Sequence, residues 1–148
     1  MNQDINNKIL SKRYFYENID YTALIKARDV LERVSKNAKN EGEKMGVVQG
    51  FEICYELSWK LMKKILFIKG IDVNSPRDVF RESLRVGIIE DAEKWISYLI
   101  KRNITVHCYD KEILDDLFFN TAKEFLIDLN ILISTLEEKE VENDSNKK

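Results

Sequence analysis

Apolar residues recur along this chain in steps of three and four, the period of a helix that packs one stripe of its surface into a core. Leu24, Ala27, Leu31, Val34 and Ala38 make the first stripe, and Lys39-Asn40-Glu41-Gly42 marks its end. A longer helix is predicted from about Glu43 to Lys69. Val47, Phe51, Cys54, Leu61, Ile65 and Ile68 form one of its stripes, and Val48, Tyr55, Trp59, Met62 and Leu66 form a second beside it. Two adjoining stripes make a broad apolar face, so this helix is expected at the centre of a bundle. Gly70 suits a left-handed C-terminal cap. Ser75-Pro76 reads as N-cap and first helical position of a short third helix, with Asp78 in its first turn and its end at Gly87. The fourth helix is predicted from about Glu90 to Cys108. Asp110 is the expected N-cap of a fifth, which carries Leu114, Phe118, Phe125, Leu129, Leu132 and Leu136 inward.

The pattern divides the chain into a loosely attached lead-in over residues 1–19, a helical bundle over 20–137 and a charged, frayed tail over 138–148. The fold class is therefore all-α, an up-down bundle of four to five helices. No repeat and no domain linker interrupts it.

The fourth predicted helix departs from the amphipathic norm. At 100° per residue, Trp95, Ile96, Tyr98, Leu99, Ile100, Asn103, Ile104, Val106, His107 and Tyr109 spread with Arg102 over roughly 240° of circumference. One bundle covers a stripe only somewhat wider than ~100°. Covering the rest calls for a second surface, most simply another copy of the chain, so a homodimer is expected.

Composition narrows the function classes. At 148 residues the chain is long enough for one domain with a real core, and 44% hydrophobic against 34% charged residues excludes a disordered protein. One proline and five glycines leave little punctuation for a many-stranded β fold. No apolar run approaches the ~20 residues of a membrane span, and Met1-Asn2-Gln3-Asp4 lacks the pattern of a signal peptide. A cytoplasmic protein is expected, with Cys54 and Cys108 as reduced, buried thiols. The net charge of −2 means that any grip on nucleic acid must come from a local patch. Arg77, Arg81 and Arg85 recur at i, i+4 and i+8 and could make one, although Asp78 and Glu82 temper the row. One histidine and two scattered cysteines do not make a metal-ligand set, so neither a metal nor another cofactor is expected.

The candidate chemistry lies in Arg102-Asn103-Ile104-Thr105-Val106-His107-Cys108-Tyr109-Asp110. Asn103 and His107 are one turn apart and share a face. Arg102 and His107 stand about 140° apart on an ideal helix. They can meet only if the helix loosens there, or if a dimer axis brings together residues of both copies. An arginine on an apolar stripe most often pairs with a buried carboxylate. Glu52, on the stripe of Val48, Tyr55 and Trp59, is the expected partner of Arg102 or His107, because an unpaired carboxylate there would be costly.

The spacing R-x4-H-x-Y, formed by Arg102, His107 and Tyr109, resembles the signature of the HEPN superfamily of helical bundles. Gln49-Gly50-Phe51-Glu52 with Glu56 and Trp59-Lys60, and Ser75-Pro76-Arg77-Asp78-Val79 with Arg81-Glu82, are similar to its branch of nucleotidyltransferase substrate-binding proteins. The resemblance covers about residues 20 to 136. Gly50 departs from it by standing where a larger residue is usual, and Val106-His107-Cys108 replaces a more polar run. The resemblance implies a homodimer whose R-x4-H motifs face a shared cleft, acting as a metal-independent endoribonuclease toxin on RNA. A cognate minimal nucleotidyltransferase would be the antitoxin, in some systems by adding AMP to the motif tyrosine, here Tyr109. Arg102, His107 and Asn103 would be catalytic, Glu52 and Asp110 supporting. Arg77, Arg81 and Arg85 would meet RNA or the partner. The family name records another role, a non-catalytic subunit that presents substrate to a separate nucleotidyltransferase.

Overall fold

The computed structural model describes residues 12–146, and the fold is an all-α bundle with a small β-hairpin at its start. Residues 1–11 of the expected lead-in, and 147–148 of the expected tail, lie outside the described residues. The helices are α1 (Thr22–Asn37), α2 (Glu41–Ile68), α3 (Pro76–Arg85), α4 (Ala92–Ile104), α5 (Lys111–Asp116) and α6 (Ala122–Asn146). They are preceded by β1 (Phe15–Tyr16) and β2 (Ile19–Asp20), an antiparallel pair.

Local chemistry sets most of the boundaries. Asn40 caps α2 by accepting from the Glu43 backbone N–H at 2.8 Å, while its amide donates to the Glu43 carboxylate at 2.8 Å, a reciprocal lock. Gly70 ends that helix with φ +85° and Gly87 ends α3 with φ +83°, values that a side chain would make costly. Ser75 accepts from Asp78 N–H ahead of Pro76, as the sequence predicts. Asp110 accepts from Glu112 N–H at 3.0 Å and Ile113 N–H at 3.2 Å, and so starts α5.

As expected of the central helix, α2 packs against α1, α3, α4, α5 and α6. Its buried residues include Val47, Val48, Phe51, Cys54, Tyr55, Leu61, Met62, Ile65 and Leu66. Ile68, read as a stripe member, is instead exposed at the last position of the helix, while Ile65 and Leu66 in the same turn are buried. Gly50 lets α1 come close: a methyl group at that position would sit 3.1 Å from Leu31 Cδ1. At the heart of the bundle, Phe125 of α6 stands edge-on to Phe51 at 5.0 Å, Tyr98 at 5.2 Å and Trp95 at 5.7 Å. Such pairs add about 0.5–1.5 kcal/mol each beyond the area they bury.

Three segments differ from the sequence reading. Residues 12–19 are not a loose lead-in. Tyr16 is buried, and Tyr14 packs on the buried Tyr21 at 6.1 Å. The hairpin also gives the expected frayed tail its partners, since Glu17 N–H donates to the Glu140 carboxylate and Asn143 donates to that of Glu17. α6 accordingly continues through the charged residues to Asn146. Between α5 and α6 one turn, Leu117–Thr121, is a wider π-turn that keeps Leu117, Phe118 and Thr121 on the buried side. No helix among the described residues is long and apolar enough to cross a membrane.

Candidate functional site at the end of helix α4

α4 does not run to Cys108. It stops at Ile104, and Thr105–His107 form a tighter 3-10 turn. The buried Thr105 hydroxyl donates to the Arg102 carbonyl at 2.7 Å, diverting an acceptor that a continuing α-helix would use. The helix thus loosens between Arg102 and His107, one of the two ways in which the sequence allows the motif to gather. A short turn follows, closed by Asp110 N–H donating to the His107 carbonyl at 3.0 Å, and leads into the Asp110 cap of α5. Lys101 pairs with Asp116 at 2.7 Å and pins the end of α5 to the last turn of α4. That hydrogen bond from Lys101, followed by one from Asn120, holds the Asp116 carboxyl below its ordinary range.

This turn places the motif at the surface. His107 and Asn103 are exposed, and Tyr109 is 80% exposed. His107 Nδ1 lies 3.3 Å from the Tyr109 hydroxyl, with the rings edge-on at 6.0 Å. The imidazole makes no other hydrogen bond among the described residues, so its Nε2 is open to solvent or ligand. Ile100 and Val106 are exposed beside them, which leaves an apolar strip of α4 and its following turn uncovered in the single chain.

Arg102 behaves differently from its neighbours. Its Nε is buried and lies 3.5 Å from Glu56 Oε1, within ion-pair reach but outside hydrogen-bond geometry. Its two terminal nitrogens make no hydrogen bond among the described residues, and the side chain as a whole stays 31% exposed. The expected partner Glu52 is half-buried and makes no ion pair or hydrogen bond among the described residues. The crossing of α2 and α4 brings Glu56, one turn further along, to Arg102 instead. Glu56 is itself held: Trp59 Nε1 donates to its Oε2 at 3.0 Å and Lys60 Nζ lies 3.8 Å away. Sequence reading noted Glu56 and Trp59 without giving them a role at the site. Their signal was present, a second carboxylate on the broad apolar face of the long helix.

Tyr55, next in sequence, has a buried hydroxyl with no hydrogen-bond partner. Burial raises its pKa and the neighbouring Glu56 adds to this, while Arg102 and Arg77 oppose it. Arg77 and Arg102 therefore both lie near this stretch of α2, from α3 and α4 respectively. The arginine row on α3 is less free than its spacing suggests. Arg81 pairs with Asp78 at 3.8 Å and Arg85 with Glu82 at 2.6 Å. Arg77 has no such partner among the described residues.

The cysteines divide. Cys54 is fully buried and desolvation pushes its thiol up to about 12, so it is a packing residue. Cys108 is only partly buried, since it lies beyond the end of the helix that was expected to contain it.

A helical bundle that presents R-x4-H-x-Y where one of its helices breaks defines a class of protein. The family described as nucleotidyltransferase substrate binding protein like matches residues 17–138, and the chain belongs to it, within the HEPN superfamily. Among its relatives is a Haemophilus influenzae protein named Probable ribonuclease HepT, 37% identical over 99 residues, which are 64% of this chain and 67% of the relative. A solved Haemophilus influenzae structure, described as the fold of a substrate binding domain of a nucleotidyltransferase, is 30% identical with a TM-score of 0.71. That match covers 79% of this chain and 98% of the other. A Thermus thermophilus structure shares the fold at 24% identity and a TM-score of 0.65, covering 79% of this chain and 98% of its own.

Proposed function

We propose that this chain is a metal-independent endoribonuclease, the toxin of a toxin–antitoxin pair restrained by a cognate minimal nucleotidyltransferase. The observation that carries the reading is that the break at the end of α4 separates an Arg102 anchored on Glu56 from an exposed His107 a few residues on. The relative named as a ribonuclease supports it. Cleavage of RNA without metal needs a base for the 2′-hydroxyl proton, a role an imidazole can fill. His107 Nε2 takes that proton, the 2′-oxygen attacks phosphorus, and the bond to the 5′-oxygen breaks to leave a cyclic phosphate. The departing 5′-oxygen collects a proton from water. Arg102 places two terminal N–H groups on the phosphorane oxygens, and Asn103 binds the phosphate from the same exposed face.

Two copies join across the uncovered strip of Ile100 and Val106, so that both motifs face one cleft as a homodimer. Tyr109, exposed and adjacent to His107, is the hydroxyl to which the partner enzyme attaches AMP. Its oxygen attacks the α-phosphorus of ATP and pyrophosphate leaves. Placing an anionic nucleotide beside the imidazole would block the cleft.

Expression of the chain alone is expected to slow growth and cut RNA in the presence of EDTA. His107→Ala should lower cleavage by about 10²–10⁴-fold and Arg102→Ala by about 10²–10³-fold, with the dimer intact. Tyr109→Phe should keep cleaving but escape modification. The description of the solved neighbour favours a second reading, a non-catalytic subunit that presents substrate to a nucleotidyltransferase. A wild-type chain that is harmless and leaves total RNA and tRNA uncut would select it.

A further inference from the structure

We infer that Glu56 is a positioning residue for Arg102, and that Trp59 fixes Glu56 in turn. This rests on the reading of Arg102 as the group that binds the reacting phosphate. A guanidinium is planar, with one edge formed by Nε and one terminal nitrogen and an outer edge formed by the two terminal nitrogens. Glu56 Oε1 faces Nε at 3.5 Å, and that nitrogen is buried. The plane is thereby oriented from its inner end, while the outer edge stays free to meet two phosphate oxygens.

The geometry at the carboxylate supports this role over simple charge neutralisation. Oε2 takes the Trp59 indole N–H at 3.0 Å and has Lys60 at 3.8 Å. Both donors draw on the oxygen that does not face Arg102. They immobilise the carboxylate and share its charge, so the guanidinium is held without being fully neutralised. Trp59 and Lys60 follow Glu56 by three and four residues on α2, so one helical turn builds the whole support. Glu56 and Arg102 are each about one-third exposed, and a pair so placed contributes little to global stability. Its effect should therefore fall on the direction of the guanidinium more than on the fold.

The test reads cleavage and side-chain geometry separately. Glu56→Ala is expected to lower kcat for an RNA oligonucleotide by about 10-fold or more with a much smaller change in KM, because the misdirected guanidinium fails mainly in the transition state. Glu56→Gln keeps one oxygen for Nε and should recover part of the loss. Trp59→Phe keeps an aromatic ring, removes the N–H, and should fall between wild type and Glu56→Ala. The Arg102 Nε–H resonance, assigned by its disappearance in Arg102→Lys, should be protected from solvent exchange in wild type and lose that protection in Glu56→Ala. Inorganic phosphate should shift it less in the variant. An unmoved Nε–H signal, or a folded Glu56→Ala that cleaves at the wild-type rate, would overturn the inference. If the wild type cuts no RNA, the ribonuclease reading falls and the resonance alone decides whether Glu56 positions Arg102.

Discussion

Asp110→Ala isolates the device that joins the candidate site to the rest of the bundle. Asp110 Oδ1 accepts from two backbone N–H groups, Glu112 at 3.0 Å and Ile113 at 3.2 Å, and nothing else caps α5. Removing an N-cap oxygen costs about 0.5–2 kcal/mol. Both N–H groups are near the surface, where water replaces the lost acceptor, which places the cost near ~1 kcal/mol. For a chain of this length that corresponds to a drop in Tm of about 3–4 °C. The loss is local before it is global. The Glu112 and Ile113 amides should exchange with solvent about 5-fold faster, the factor equivalent to ~1 kcal/mol of easier opening. Asp110→Asn keeps the acceptor and should stay within about 1 °C of wild type. Thermal melts by circular dichroism and amide exchange by NMR measure the two effects. If Asp110→Ala leaves both the Tm and the Ile113 exchange rate unchanged, the cap does not hold this turn.

Further outcomes follow from other parts of the fold. Phe125→Ala empties the centre of the aromatic cluster, where Phe125 is fully buried, and should cost about 3–5 kcal/mol in urea unfolding at an unchanged m-value. The Lys101 hydrogen bond lowers the Asp116 pKa, so this interaction contributes above the unfolded value of 3.8 and is lost as pH falls through the lower folded value. The Tm gap between wild type and Asp116→Asn should therefore be widest near neutrality and close in acid. Light scattering should give twice the 17.5 kDa chain mass, and Val106→Glu, a charge placed on the exposed apolar strip, should give the single-chain mass. A wild type at 17.5 kDa would remove the proposed dimer.

What the sequence determined by itself is whatever depends on neighbours along the chain. Helical period, the Ser75 cap, the Gly70 and Gly87 stops and the Asp110 start are local chemistry, and each is where the spacing puts it, whereas the Asn40 cap starts α2 two residues ahead of the expected Glu43. The breadth of the apolar face on α2 likewise announced the central helix. The R-x4-H-x-Y spacing also marked where the helix would have to loosen for Arg102 and His107 to meet, and α4 does stop at Ile104, between them. Tertiary structure decided what depends on how two elements cross. Glu52 and Glu56 lie one turn apart on the same helix, and periodicity treats them alike. Only the packing of α4 on α2 selects Glu56 for Arg102. The hairpin of residues 15–20 is too short to carry a strand period, and its docking on α6 makes a helix of a stretch that composition read as a tail. The pairs Asp78–Arg81 and Glu82–Arg85 on α3 belong instead to the local side, since residues three apart on a helix are neighbours, and the two acids read as tempering the row do take Arg81 and Arg85 and leave Arg77 without a partner among the described residues.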